Sequence, residues 1–226
     1  MKADTRTWLH NLERAFEVLR GEGLASLWFK ALSRTIYRRV ILFERSLAEA
    51  PGAPTGSLPV TIDLLQEHEI NEYLSLRPAA DSHEIRRRLQ AGEWCFVARC
   101  EGQLVHACWA AAGRAWIEYL AREIQLAPDQ VYSFESLTAP GWRGQNIAGA
   151  RSAYMARFLL AAGYRRMIAV VVPENKPALR AVEKVGYRPF GVMGYIKLGK
   201  WRHDFCWLNR EHQSRSLSRE SRVGDR

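Results

Sequence analysis

Thr138-Ala-Pro-Gly-Trp-Arg-Gly-Gln-Asn-Ile-Ala148 lies between a strand-like run, Gln130 to Leu137, and a helix-like run, Ala150 to Ala162. A strand, a turn with two glycines (Gly141, Gly144) and a helix start together build an anion cradle. The first-turn N–H groups of a helix have no partner inside it, and the helix dipole adds roughly half a positive charge there. Arg143 adds a permanent cation at the same place. Such a site suits a diphosphate. The glycine spacing G-x-G-x-x-G of dinucleotide-binding folds is absent.

About thirty residues on, Met167-Ile-Ala-Val-Val-Val172 is a continuous β-branched run, the pattern of a strand buried on both faces. It ends at Pro173-Glu174-Asn175. A helical segment follows with Ala178, Ala181, Val182 and Val185 on one face, and Gly186-Tyr187 closes it with a glycine suited to a left-handed cap. Taken together, these segments resemble the GNAT superfamily of N-acetyltransferases. The phosphate loop of that family, Q/R-x-x-G-x-G/A, is matched by Arg143-Gly-Gln-Asn146-Ile-Ala148. Its next motif, an Asn after a strand and a Gly-Phe/Tyr pair a dozen residues on, is matched by Asn175 and Gly186-Tyr187. The resemblance runs from about residue 59 to 209.

Two positions depart from the pattern. Asn146 stands where the family usually has glycine, and Asn is the residue next most tolerant of left-handed backbone. Val182 stands where the family often carries a tyrosine that protonates the departing thiolate.

The resemblance implies an α+β fold: a central twisted mixed sheet with flanking helices, here preceded by an N-terminal helical extension. It implies acetyl-CoA as acyl donor and no metal. Backbone groups near Leu137 and Thr138 would hold the pantetheine arm and thioester. The N–H groups of Arg143, Gly144, Gln145, Asn146, Ile147, Ala148 and Gly149 would take the pyrophosphate. Asn175 would stand where two central parallel strands splay apart. An acidic residue shortly before the loop often serves as base in similar proteins, which points to Glu135; a carboxylate that binds substrate or pairs with a cation is the competing reading. Tyr195 is the candidate acid in place of the residue missing at 182, against a reading as an ordinary strand tyrosine. Glu118 and Tyr119 are weaker acceptor-site candidates. His106 reads as a satisfied core or cleft histidine, and His203 and Asp204, as strand neighbours, point to opposite faces.

The chain has 226 residues, 47% of them hydrophobic and 25% charged, which fits one soluble globular domain with extensions. Its net charge of +9 favours anionic partners such as coenzyme A, acidic glycans, nucleic acid or an anionic bilayer. No nucleic-acid-binding motif supports a nucleic-acid partner. Cys95, Cys100, Cys108 and Cys206 show no C-x-x-C pairing and no histidines at ligand spacing, so buried free thiols are expected. The start lacks a secretory pattern and no apolar run is long enough to span a bilayer, giving the cytoplasm as expected compartment.

Along the chain, residues 1–50 read as a helical extension with two helices over 5–47. The second, Leu24 to Leu47, carries a basic stripe of Lys30, Arg34 and Arg38. That stripe allows weak peripheral contact with a membrane, but packing on protein, in the same chain or a homodimer, is the preferred reading. Residues 51–58 form a Pro/Gly/Ala linker, 59–209 the acyltransferase-like domain, and 210–226 a Ser/Arg-rich tail expected to be disordered. Within the domain the expected elements are a strand at Val60–Leu64, helices at Glu67–Leu76 and Ser82–Gln90, and a hairpin of Glu93–Cys100 with Gln103–Ala111. A single strand around Trp116–Tyr119 follows, and two strands, Pro189–Leu198 and Trp201–Leu208, close the domain.

The functional expectation is transfer of acetyl from acetyl-CoA to a primary amine of a small molecule or amino sugar, by direct attack in a ternary complex. The alternatives are a membrane-proximal N-acyltransferase using a longer acyl-CoA or acyl carrier protein, and a CoA-binding pseudoenzyme or interaction module.

Overall fold

A computed structural model describes residues 36–49 and 59–209. The expected linker, the Ser/Arg-rich tail and residues 1–35 of the expected helical extension lie outside the described residues. The architecture is α+β. Eight strands form one sheet in the order β10-β9-β1-β8-β7-β4-β3-β2, and β5 with β6 forms a separate hairpin. In chain order the strands are β1 Tyr37–Ser46, β2 Thr61–Leu64, β3 Trp94–Cys100, β4 Gln103–Ala112, β5 Arg114–Ile117, β6 Arg122–Gln125, β7 Gln130–Thr138, β8 Arg166–Val171, β9 Arg188–Leu198 and β10 Trp201–Leu208. The helices are α1 Ile70–Leu76, α2 Ser82–Gln90, α3 Ile147–Ala161 and α4 Lys176–Lys184.

One expectation is corrected. The helix read through Leu47 does not exist from Tyr37 on: Tyr37–Ser46 is β1, hydrogen-bonded antiparallel to β8 on one side and β9 on the other. Val40-Ile41-Leu42-Phe43 is a continuous apolar run because both of its faces are covered, and such a run matches a buried helix as well as a strand. Val40 and Leu42 face one side of the sheet and Phe43 the other. A pairing irregularity between Leu42 and Phe43 falls opposite Pro189, which has no N–H to give a ladder. The basic stripe proposed for a helix therefore loses Arg38 to a strand. The boundary between extension and domain also moves, because a central strand of the sheet comes from before residue 50.

The second correction is smaller. The region around Trp116–Tyr119 is not one strand. β5 ends at Ile117, a 3-10 turn spans Glu118–Leu120, and Ala121 at φ 45 reverses the chain into β6.

The sheet is covered on both faces. α3 and α4 cover one face, where Phe43, Val131, Met155, Leu159 and Met167 make the largest core cluster. The β5–β6 hairpin covers part of the other through Ala115, Ile117 and Leu120 against Val40, Leu42, Tyr132 and Ile168. α1 and α2 cover the rest through Ile70, Tyr73 and Ile85, against Val97 and Trp109. Trp109 is fully buried and donates its indole N–H to the Tyr73 hydroxyl at 2.9 Å, so its polar atom is satisfied there. α2 begins where the Asp81 side chain accepts from the His83 N–H. Among the described residues no helix is long and apolar enough to cross a membrane.

Candidate functional site

All strand neighbours in the sheet are antiparallel except β7 and β8. These two pair in parallel from Gln130–Arg166 to Ser133–Ala169 and then part. β7 runs on to Thr138 paired only with β4, and β8 runs on to Val171 paired only with β1. The edge of β7 that faces β8 is thus open from Phe134 upward, ready to hydrogen-bond an extended ligand. A bulge marks the departure. Opposite Ala107–Trp109, β7 carries one extra residue between Phe134 and Leu137, and Glu135 within it takes φ 50. A left-handed backbone at a residue other than glycine is a strained feature that recurs at functional sites.

Directly above the opening lies the loop. Leu137 and Thr138 end β7 in register with Ala107 and His106. Pro140–Trp142 makes a 3-10 turn, and α3 starts at Ile147 with Asn146 as N-cap at φ 58, ψ 19. The left-handed tolerance expected of Asn146 is therefore in use. Its side chain makes no cap and lies over Gly149, where a Cβ would come within 2.6 Å of the Asn146 Oδ1. The first N–H bonds of the helix come from Gly149 and Ala150 to the Asn146 carbonyl. Among the described residues the N–H groups of Gly144, Gln145, Asn146, Ile147 and Ala148 find no acceptor. Five free donors beside the positive end of a helix dipole form a cradle that suits an anion. Trp142 and Ile147 anchor it on the Ala98, Cys100 and Val105 cluster. Arg143 is exposed at its rim and donates its Nε–H to the Thr138 carbonyl at 3.2 Å.

Beneath the loop runs a buried polar chain. Arg151 of α3 donates its Nε–H to His106 Nε2 at 3.1 Å, which leaves the His106 proton on Nδ1, donated to Thr138 Oγ1 at 2.8 Å. Burial, then the Arg151 guanidinium, holds the His106 imidazole well below its usual 6.5. The unfolded chain takes up this proton near pH 6.5 and the folded chain only at much lower pH. The contribution of His106 to folding stability is therefore fully present above about pH 6.5 and should fall by up to about 1.4 kcal/mol per unit below it, until the folded imidazole also protonates. A His106→Gln variant should show a shallower loss of melting temperature between pH 7 and 5. Parallel curves for the two proteins would mean that His106 does not carry this linkage.

On the opposite face a cleft of about 1180 Å³ lies between α2 and the β5–β6 hairpin, floored by Tyr132, Phe134, Val170 and Val172. Glu84, Glu93, Glu118, Glu123 and Glu135 line it against Arg87, Arg88 and Arg114, so acidic groups gather here on a chain of net +9. Glu135 has both oxygens engaged: Arg77 Nη1 donates to Oε2 at 2.6 Å and Arg88 Nη2 to Oε1 at 3.1 Å. Glu93, which had no signature in the sequence, differs. Its Oε2 is shielded from solvent and has no hydrogen-bond partner among the described residues, and burial pushes its carboxyl above the usual range against the pull of Arg88. Trp116 stands exposed in the cleft wall beside Glu118.

The remaining sequence candidates are dispersed. Asn175 caps α4, its Oδ1 accepting from the Ala178 N–H at 3.2 Å. Tyr195 is buried on β9, with Arg202 4.2 Å above its ring; β1 and β8 separate β9 from β7, and Tyr195 does not line the cleft. Leu137, Thr138, the loop and Glu135 are thus brought together, and Tyr195 is not. Cys95, Cys100 and Cys108 are buried free thiols, whereas Cys206 is exposed on β10.

No family model and no curated protein sequence matches the chain. Solved structures are similar to it. A conserved protein of unknown function from Staphylococcus epidermidis superposes with a TM-score of 0.51 at 16% identity, over 81% of this chain and 67% of that one. A protein from Novosphingobium aromaticivorans assigned to the GNAT family gives 0.49 at 18% identity, over 71% and 63%. An aminoglycoside N-acetyltransferase solved with CoA gives 0.47 at 19% identity, over 57% and 91%. At 16% identity the first of these likenesses is one of fold alone.

Proposed function

We propose that this chain is a coenzyme A-dependent N-acyltransferase of the GNAT type, moving an acetyl group to the primary amine of a small, cationic molecule. The observation that carries the reading is the opening between β7 and β8 directly beneath five unpaired loop N–H groups. An extended pantetheine arm can add along the free edge of β7 while its diphosphate sits on the cradle. The thioester then reaches through the opening toward the acidic cleft.

An amine enters that cleft as an ammonium ion, attracted by Glu93, Glu118 and Glu123, with Trp116 offering a ring face to a sugar or alkyl body. One proton leaves the ammonium for the Glu93 carboxylate, which lines the cleft and whose affinity for protons is raised by burial. Glu135 has both oxygens clamped, by Arg77 at the end of α1 and by Arg88 of α2, and ties the two helices to the bulge. The neutral amine attacks the thioester carbonyl, the C–S bond breaks, and the second amine proton passes to the departing thiolate. No separate protein acid is needed for that balance, which accommodates both Val182 and the distant Tyr195.

The test is release of free thiol from acetyl-CoA by the full-length protein, against pools of monoamines, polyamines and amino sugars. Amine-dependent thiol release is expected, strongest for acceptors with two or more ammonium groups. Thiol release from none of the pools, with CoA bound, would favour a CoA-binding module instead.

A further inference from the structure

Two arginines are buried on the helical face of the sheet, Arg45 of β1 at 2% exposure and Arg151 of α3 at 6%. Among the described residues neither forms an ion pair. Every acceptor that Arg151 finds is neutral: His106 Nε2 at 3.1 Å, Met155 Sδ at 3.2 Å and Ser136 Oγ at 3.3 Å. Arg45 donates Nη1–H to Ser152 Oγ at 2.6 Å, while its Nε and Nη2 have neither partner nor solvent contact. The Tyr187 phenol beside them supplies no counter-charge, since burial pushes it up to about 12.

Burying a guanidinium without an anion destabilises a protein, and an apolar side chain of similar shape is usually as good or better for folding. The two charges therefore need an explanation outside the unliganded fold. Their position supplies one. Arg151 is the fifth residue of α3 and Ser152, which holds Arg45, the sixth, so they sit about 6 and 7.5 Å along the axis from Ile147, at 1.5 Å per residue. Both charges lie behind the cradle with protein in between, where water screens them little.

We propose that Arg45 and Arg151 are positioning residues for an anionic acyl donor: a buried dication whose counter-charge is the diphosphate bound at the 143–149 loop. This rests on the loop being the donor site. Neither guanidinium touches the diphosphate; each acts through its field, and Arg151 also through His106 and Thr138, which hold the end of β7. The unliganded protein bears the cost of the two charges, and donor binding relieves it. Arg45 belongs to the strand contributed from before residue 50, so donor affinity is tied to the docking of that strand.

The experiment compares acetyl-CoA with S-acetylpantetheine, which carries the same thioester arm without the diphosphate. It uses the full-length protein and the variants Arg45→Met, Arg45→Lys, Arg151→Met and Arg151→Lys. The ratio of kcat/KM for the two donors should fall about tenfold in each methionine variant, through KM for acetyl-CoA, and recover in the lysine variants. Unliganded Arg45→Met should melt at or above the wild-type temperature, while its stabilisation by added CoA shrinks. A ratio unchanged in both methionine variants overturns the proposal, and so does Arg45→Met with a lowered melting temperature and an intact response to CoA. Wild-type protein that binds no CoA overturns the donor site itself, which calorimetry on that protein alone distinguishes.

Discussion

Deletion of residues 1–50 should leave no cooperatively folded protein. The segment contains β1, which pairs with β8 from Ile41 to Ser46 and with β9 from Tyr37 to Glu44. Without it the sheet has a strand-wide gap, and β9 with β10 loses its hydrogen-bonded pairing to the rest of the sheet. Val40, Leu42, Phe43 and Leu47 are all 4% exposed or less. At about 1.5–3 kcal/mol for each large apolar side chain, their burial is worth roughly 6–12 kcal/mol, comparable with the whole stability of a typical domain. Deletion of residues 1–35 keeps β1 and should keep the fold. Far-UV circular dichroism with thermal melting of the two truncations separates the cases. A 51–226 protein that melts cooperatively at the full-length temperature would show that β1 is dispensable.

Glu93→Gln should lower kcat by about a hundredfold or more, within the range of general-base contributions, with the affinity for acetyl-CoA unchanged. The loss should shrink at higher pH, where more of the amine is already neutral. Glu135→Gln should behave differently. It loosens Arg77 at the end of α1 and Arg88 of α2 from the bulge, so KM for the acceptor should rise more than kcat falls. The opposite pattern, a large pH-dependent loss of kcat at Glu135 and little at Glu93, would return the base to the bulge residue.

The turn at 143–149 was legible because its geometry is local. Gly144, Asn146 and Gly149 each answer a backbone requirement of the turn, and a strand and a helix flank them within one short stretch. β8 was legible from its β-branched run, and α2 lies between the residues read for it because Asp81 caps its start. β1 was not, since a strand covered on both faces shows no alternation, and the apolar spacing before it continues a helical rhythm. The β5–β6 reversal was hidden because Ala121, without glycine or asparagine, takes the left-handed turn. The site residues missed share one property. Glu93 lies at a turn, Arg45 in a strand and Arg151 in a helix, and each owes its character to groups brought near by the fold. Glu93 is shaped by α2 and Glu135, and the two arginines by each other and by Tyr187. No spacing in the sequence encodes that.

The central claim is that the 143–149 loop binds the diphosphate of an acyl-CoA. Calorimetric titration of CoA into the full-length protein and its Arg143→Glu variant tests it most directly. Arg143 stands at the rim of the cradle, exposed, so the variant should fold normally while placing a negative charge beside the diphosphate. Saturable binding by the wild type, weakened at least tenfold in the variant (about 1.4 kcal/mol), is the predicted result. Equal affinity in the two proteins, or no binding by the wild type, would contradict it.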